Sequence, residues 1–284
     1  TNNKTSSTAA PSLYFKNDDD LYVSLALLNS CISQVYMDLL NPTVGLKLAN
    51  VEAVPAINFE KMAVFLRSSC ENNIALSKED WDSYEISWDF EQHPLVKRKE
   101  LHSLEKCYLT WKTECENRFL KMKDNEEHIN VVILKEYGLE NEVSCEVPEK
   151  SISVHRIFDT KEDIPVSMDG SYYVRTKRDE IVSLISYSVG CMFGRYSLDK
   201  KGIVNAGAPL NVNEYVSFSV DKDNIIPICD DEYFKDDIVG RFVEFIKIVY
   251  GADSLDDNLT FIAKALGGKG SPREIIRNYF VNDF

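Results

Sequence analysis

The stretch Ile181–Asp199, IVSLISYSVGCMFGRYSLD, decides how this chain is read. Its apolar residues recur at helical spacing, yet Gly190 and Gly194 stand inside it. A glycine in a helix interior costs about 1 kcal/mol relative to alanine. Two of them predict a face packed very closely, with a neighbouring helix against both glycines and Arg195 at the edge of the contact.

Helices extend outward from this segment in both directions. Towards the C-terminus, residues 202–224 are loop-like, and helices are predicted from about Asp230, Ser254 and Pro272. Towards the N-terminus, residues 140–177 scatter Val143, Val154 and Ile157 among Pro148, Pro165 and Gly170. That pattern predicts irregular structure with a short β-hairpin, and a domain boundary. Before it, Leu101, Leu104, Tyr108, Trp111, Cys115 and Phe119 form a narrow stripe on a long charged helix. Such a stripe suggests a spacer or an antiparallel pair, not a buried core element. Ser77 and Asp80 read as a capping pair for a helix whose Trp81, Tyr84 and Trp88 form a core stripe. Val51–Ile57 reads as a short extended segment, and Leu21 to Leu39 as one amphipathic helix ended by Asn41-Pro42. The fold class is mainly α, a helical bundle or spacer with minor β, α+β overall.

The 284 residues are 44% hydrophobic and 27% charged, which suits a soluble globular protein. No apolar run approaches the roughly 20 residues that span a bilayer, so no membrane is expected. Seven scattered cysteines without a close pair predict reduced thiols and no zinc site. The first residues, TNNKTSSTAAP, lack an initiator Met and any apolar signal core, and the last helix lacks a C-cap glycine. Both features predict a piece of a longer chain. The net charge of −14 repels a phosphate backbone, so any DNA contact needs a local basic patch or another part of the protein.

No catalytic or metal site is legible. Asp221-Lys222-Asp223 fails as a calcium loop, because Ile225 and Ile226 stand where a ligand and the turn glycine are needed. The acidic cluster Asp230–Asp237 reads as the start of a helix. Gly267-Gly268-Lys269-Gly270-Ser271 fails as a phosphate loop, since it follows a helix and lacks Ser or Thr after Lys269. It reads instead as a helix-to-helix turn: Gly267 ends one helix, Ser271 caps the next, Pro272 takes its first position and Glu274 its third. Lys269, Arg273 and Arg277 gather near that N-terminus, where an anion is favoured, and are candidate contacts to a DNA backbone.

Five blocks carry a family resemblance. They are Tyr22–Ile57, Ser77–Phe90 (SKEDWDSYEISWDF), Ile185–Asp199, Asp223–Phe245 and Ala265–Phe284 (ALGGKGSPREIIRNYFVNDF). In this order they resemble the C-terminal part of the large adenine-specific DNA methyltransferases of BREX phage-defence systems, the PglX-like proteins, which are similar to single-chain type II restriction-modification methyltransferases. The resemblance implies methyl transfer from S-adenosylmethionine to adenine in double-stranded DNA, in the bacterial cytoplasm. Neither an N/D-P-P-Y/F motif nor a glycine-containing cofactor motif occurs here; Asn41-Pro42-Thr43 lacks the second proline and the aromatic. The resemblance therefore implies a catalytic domain before Thr1, no catalytic or cofactor-binding residue in this chain, and an inactive fragment. It also implies segments: 1–17 disordered or linker, 18–58 the end of a target-recognition region, 59–139 a helical spacer, 140–177 a connector, and 178–284 a C-terminal helical domain. Thr43 and Lys47, in the turn after the helix carrying LLNS, are further DNA-contact candidates. The competing reading is a non-catalytic helical module that docks other BREX proteins or a phage antagonist through its acidic surface.

Overall fold

A computed structural model describes residues 12–40, 48–55, 61–207, 211–234 and 236–284. The elements are α1 (Asp18–Leu28), α2 (Cys31–Leu40), α3 (Leu48–Glu52), α4 (Ala63–Trp81), α5 (Pro94–Lys97), α6 (Leu104–Tyr137), β1 (Arg156–Phe158), β2 (Val174–Thr176), α7 (Lys177–Met192), α8 (Ile238–Tyr250), α9 (Leu255–Leu266) and α10 (Pro272–Asn282). The architecture is mainly α with minor β, as the periodicity predicts. The chain packs as two units, Thr1–Lys78 with Arg118–Ser153, and Glu79–Asn117 with Val154–Phe284. Among the described residues no single helix is long and apolar enough to cross a membrane.

In the first unit, α1, α2, α4 and the second half of α6 bury Ala26, Leu27, Ile32, Leu66, Cys70, Ile129 and Ile133. The helix predicted over 21–39 is two helices, bent by 66° at Asn29-Ser30. The side chains of that pair compete for the helix's own carbonyls. Asn29 donates to the Leu25 carbonyl, and Ser30 and Ser33 both donate to that of Leu27. Asn130 bridges the bend to the rest of the unit, accepting from the Cys31 N–H at 3.0 Å and donating to the Cys145 carbonyl at 3.0 Å. The extended reading of 51–57 gives way to α3 over its first two residues; 56 and 57 lie outside the described residues.

In the second unit, α7, α8, α9 and α10 enclose Ile181, Leu184, Ile185, Phe242, Phe245, Ile246, Ile262 and Ile276. The first half of α6 belongs to the same core: Leu104, Tyr108, Trp111 and Cys115 are at most 2% exposed. From Leu104 to Cys115 the narrow stripe is thus a core stripe, against the expectation that it is not a buried core element, because these four side chains bury fully while the charged flanks stay wet. Asn258 on α9 holds the start of α6, accepting from the Leu104 N–H at 2.8 Å. Glu180 of α7 accepts from the Trp111 indole N–H at 2.9 Å and from Arg175, whose guanidinium lies 4.6 Å from the centroid of the Tyr84 ring. A buried carboxylate with two strong donors locks α7, α6 and β2 together.

Three further elements differ from expectation. Ser77 and Asp80 are inside α4, which runs on to Trp81 and then breaks into turns. There Ser83 donates to the Glu79 carbonyl and Ser87 to the Asp82 carboxylate. Asp80 accepts from His155 at 2.7 Å instead of capping. Of the aromatic stripe, Tyr84 is buried, whereas Trp88 is 94% exposed. The predicted hairpin is a parallel pair, Arg156 opposite Val174 and Phe158 opposite Thr176. Parallel strands need a long crossover, and the proline- and glycine-containing run from 159 to 173 provides it.

Candidate nucleic-acid interface

The turn between α9 and α10 forms as its residues dictate. Gly267 takes φ 79° at the C-cap, and Ser271 and Glu274 make a reciprocal capping box with Pro272 in the first turn. The three cations around it differ in freedom. Lys269 is exposed. Arg273 lies 3.5 Å from Glu232. Arg277 is spent internally, with its two terminal nitrogens 2.7 and 2.9 Å from the Asp237 oxygens and a third bond, 2.8 Å, to the Cys229 carbonyl. The same Asp237 caps α8, accepting from the Val239 and Gly240 N–H groups. That helix starts at Ile238, not near Asp230. Hydrogen bonding to Asp237 raises the Arg277 pKa and holds its charge in place. This arginine therefore braces α10 against α8 rather than facing solvent. Thr43 and Lys47 lie outside the described residues.

Sequence reasoning missed a groove of about 980 Å³ beside this turn. Lys161, Lys177, Arg178 and Lys264 line it, opposed by Glu105, Asp159, Glu162 and Asp257. Lys177-Arg178 directly after the Thr176 cap was the signal available in the sequence. Asp159 is the hub of one wall. It accepts from Lys112 at 2.8 Å and from the Tyr108 hydroxyl at 2.9 Å, and Lys177 lies 3.0 Å away. Burial opposes its ionisation, but these donors prevail and hold its pKa at about 2. Arg178 is tied to the Leu266 carbonyl and to Asp283. Lys161 and Lys264 are exposed and make no ion pair among the described residues. Charges of both signs alternate around the groove, so only Lys161, Lys264 and the adjacent Lys269 offer cations free for a phosphate.

The glycine segment is a helix stop. α7 ends at Met192, and Gly194 follows its cap with φ 76°. The chain then folds back on its own helix. The Tyr196 N–H donates to the Gly190 carbonyl at 3.2 Å, and a Cβ on Gly190 would lie 2.6 Å from the Tyr196 ring. Tyr196 stacks on Tyr187 with centroids 5.0 Å apart, and Phe90 meets it edge-on. The close partner is this returning tyrosine, not a neighbouring helix. Arg195 lies over the same ring, its Nε 3.1 Å from the hydroxyl. Among the described residues no group of three or more His, Cys, Asp or Glu is placed to hold a metal.

No known family profile matches the chain. Two curated relatives do. It is 37% identical over 278 residues to the adenine-specific methyltransferase PglX of Lacticaseibacillus casei (strain Zhang), covering 95% of this chain and 22% of that protein. It is 30% identical over 288 residues to the adenine-specific methyltransferase BrxX of Escherichia coli O9:H4 (strain HS), covering 96% of this chain and 23% of that protein. The chain thus spans under a quarter of the length of these relatives.

Proposed function

Starting from a chain homologous nearly end to end with part of the PglX and BrxX adenine-specific methyltransferases of BREX systems, we propose that it is the recognition and helical scaffold portion of such an enzyme. The whole protein would transfer a methyl group from S-adenosylmethionine to adenine in double-stranded DNA, in the bacterial cytoplasm. The observation that carries the reading is the pairing of this homology with the lack of both family motifs, N/D-P-P-Y/F and the glycine-containing cofactor turn, from all 284 residues. Neither motif that the family uses to hold S-adenosylmethionine and adenine is present, so no step of the reaction is assigned to this chain.

Its role is then mechanical and electrostatic. The ionic struts Arg277–Asp237 and Arg175–Glu180 keep the helices of the second unit in fixed register. Lys269, with Lys161 and Lys264 at the groove, supplies the free cations of the proposed backbone contact, joined by Arg273, which shares its charge with Glu232, and by Thr43 and Lys47. Arg277 supports them from behind.

Two measurements test this. The isolated chain, given labelled S-adenosylmethionine and duplex DNA, is expected to show no methyl transfer; turnover would sink the scaffold reading. DNA binding at low salt is expected to weaken steeply as salt rises, with log K falling by about 0.9 per log unit of salt for each phosphate neutralised. Replacing Lys161, Lys264 and Lys269 together by Ala should flatten that slope by up to about 3. An unchanged slope would remove these lysines from the interface.

A further inference from the structure

A cavity of about 260 Å³ lies in the first unit, lined by none of the residues proposed above as DNA contacts. At about 30 Å³ per water it has room for roughly nine waters, or one small organic group. Its walls come from α1, α4 and α6. Ala26, Met122 and Ile129 form the buried apolar part, and Leu25 and Ile74 stand partly exposed at its edge. Among the described residues one carboxylate, Glu126, lines this space, and the lining contains no Lys, Arg or His.

Two consecutive glutamates on α6 meet opposite fates. Glu127 pairs with Lys123 and accepts from the Val147 N–H at 3.1 Å. Glu126 has no hydrogen-bond or ionic partner among the described residues. The lining adds the hydroxyls of Ser77 and Ser153, and three of its other polar groups are engaged. Asn130 uses both ends of its amide, Asn73 accepts from Asn125 at 2.7 Å, and the Cys70 thiol donates to the Tyr22 carbonyl. Asn29 donates through its nitrogen to Leu25, which leaves its oxygen as a second acceptor. A carboxylate lining a largely apolar cavity without a cationic partner costs free energy that a bound cation would recover.

We propose that this cavity binds a primary ammonium or guanidinium group on a short aliphatic or aromatic body. The charged head pairs with Glu126 and the Asn29 oxygen, and the body fills the space between Leu25, Ile74, Met122 and Ile129. An anion is disfavoured by the carboxylate, and a purely apolar ligand would leave that carboxylate unpaired. The chemistry fits two sources, a free small amine or a lysine or arginine side chain of a protein segment.

Burial lifts the Glu126 pKa to about 7, with a smaller push from the Glu127 charge. The titratable groups around it are few. From α4 comes Cys70, whose thiol is pushed by burial up to about 11 and stays protonated. From α6 itself come Glu127 and its partner Lys123, and α1 adds no titratable lining group. Cation binding must therefore strengthen as pH rises through 7, because the ligand selects the ionised carboxyl.

The test titrates the full chain with 2-phenylethylamine, agmatine and N-acetyl-lysine methylamide, following the Met122 methyl and Glu126 carboxyl resonances. Saturable binding in the millimolar range or tighter is expected, about tenfold stronger at pH 8 than at pH 6. Glu126→Gln should lose about tenfold at pH 8, while Glu127→Gln keeps binding and serves as the folded control. The neutral 2-phenylethanol should bind far more weakly. A preference for free 2-phenylethylamine marks a small amine, and a preference for the capped lysine or for agmatine, which carries the arginine head group, marks a protein side chain. Failure of all three cations to saturate, equal binding of the alcohol, or an unchanged affinity in Glu126→Gln would each overturn the proposal.

Discussion

Gly190 is held to its identity by a ring. Alanine there would gain about 1 kcal/mol of helix propensity. Its methyl would also press into Tyr196, which is stacked on Tyr187 and edged by Phe90 and so has little freedom to retreat. Overpacking of this kind costs typically 1–3 kcal/mol, so the clash is the larger effect. Gly190→Ala is therefore expected to lower the urea midpoint with an unchanged m-value, by up to roughly 2 kcal/mol of stability. In a Tyr196→Ala background the same substitution should become neutral or stabilising. If Gly190→Ala costs the same in both backgrounds, the returning tyrosine is not the constraint. The two glycines were legible as unusual, and a close approach was legible from them. That the partner is six residues downstream was not, because Gly194 lies beyond the helix end rather than in its interior.

At the scale of elements, end signals translated well and interior patterns less so. The capping box of α10 and the Gly267 stop formed where the residues placed them. Ser77 and Asp80 carry the same kind of signal but fall inside α4, where Asp80 serves His155. Capping residues are locally ambiguous, and a tertiary partner decides between cap and interior. The Arg277–Asp237 pair joins two elements in the same way. Its carboxylate is 1% exposed and its arginine 11%. Arg277→Met should cost about 3–5 kcal/mol, because it strands a buried charge at the N-terminus of α8. The double variant Arg277→Met with Asp237→Asn should recover much of that loss in a thermal melt, since asparagine still caps a helix. Additive losses would mean that the pair is not coupled.

At the scale of the whole molecule, the two units should answer pH in opposite directions. His93, in the second unit, is fully buried, and its Nδ1 accepts from the Leu95 N–H at 3.2 Å. Burial, reinforced by Arg175, Arg98 and Lys97, lowers its pKa to about 3. A lowered histidine binds fewer protons folded than unfolded, so stability falls as pH drops below the unfolded value of about 6.5. Glu126, in the first unit, is raised to about 7 and binds more protons folded than unfolded. Its contribution is favourable at pH 5 and is lost as pH rises through 7. From pH 5 to pH 8, slow-exchanging amides near Leu95 should gain about 2 kcal/mol of protection while those of Ile129 to Leu134 lose a similar amount. Parallel changes in both regions would contradict this assignment of the two groups.

The helical class, the family blocks, the capped turn before α10 and the lack of methyl-transfer motifs are all written in the order of the residues. These follow from local periodicity, backbone preference and residue identity, all readable without neighbours. Only the tertiary structure decided that the α6 stripe is core, that the strands are parallel, that Arg277 is a strut and that Glu126 faces a cavity without a partner. Each depends on which distant side chain arrives to satisfy a charge or fill a space. For Gly190, even a neighbour only six residues away needed the exact end of a helix to bring it into contact.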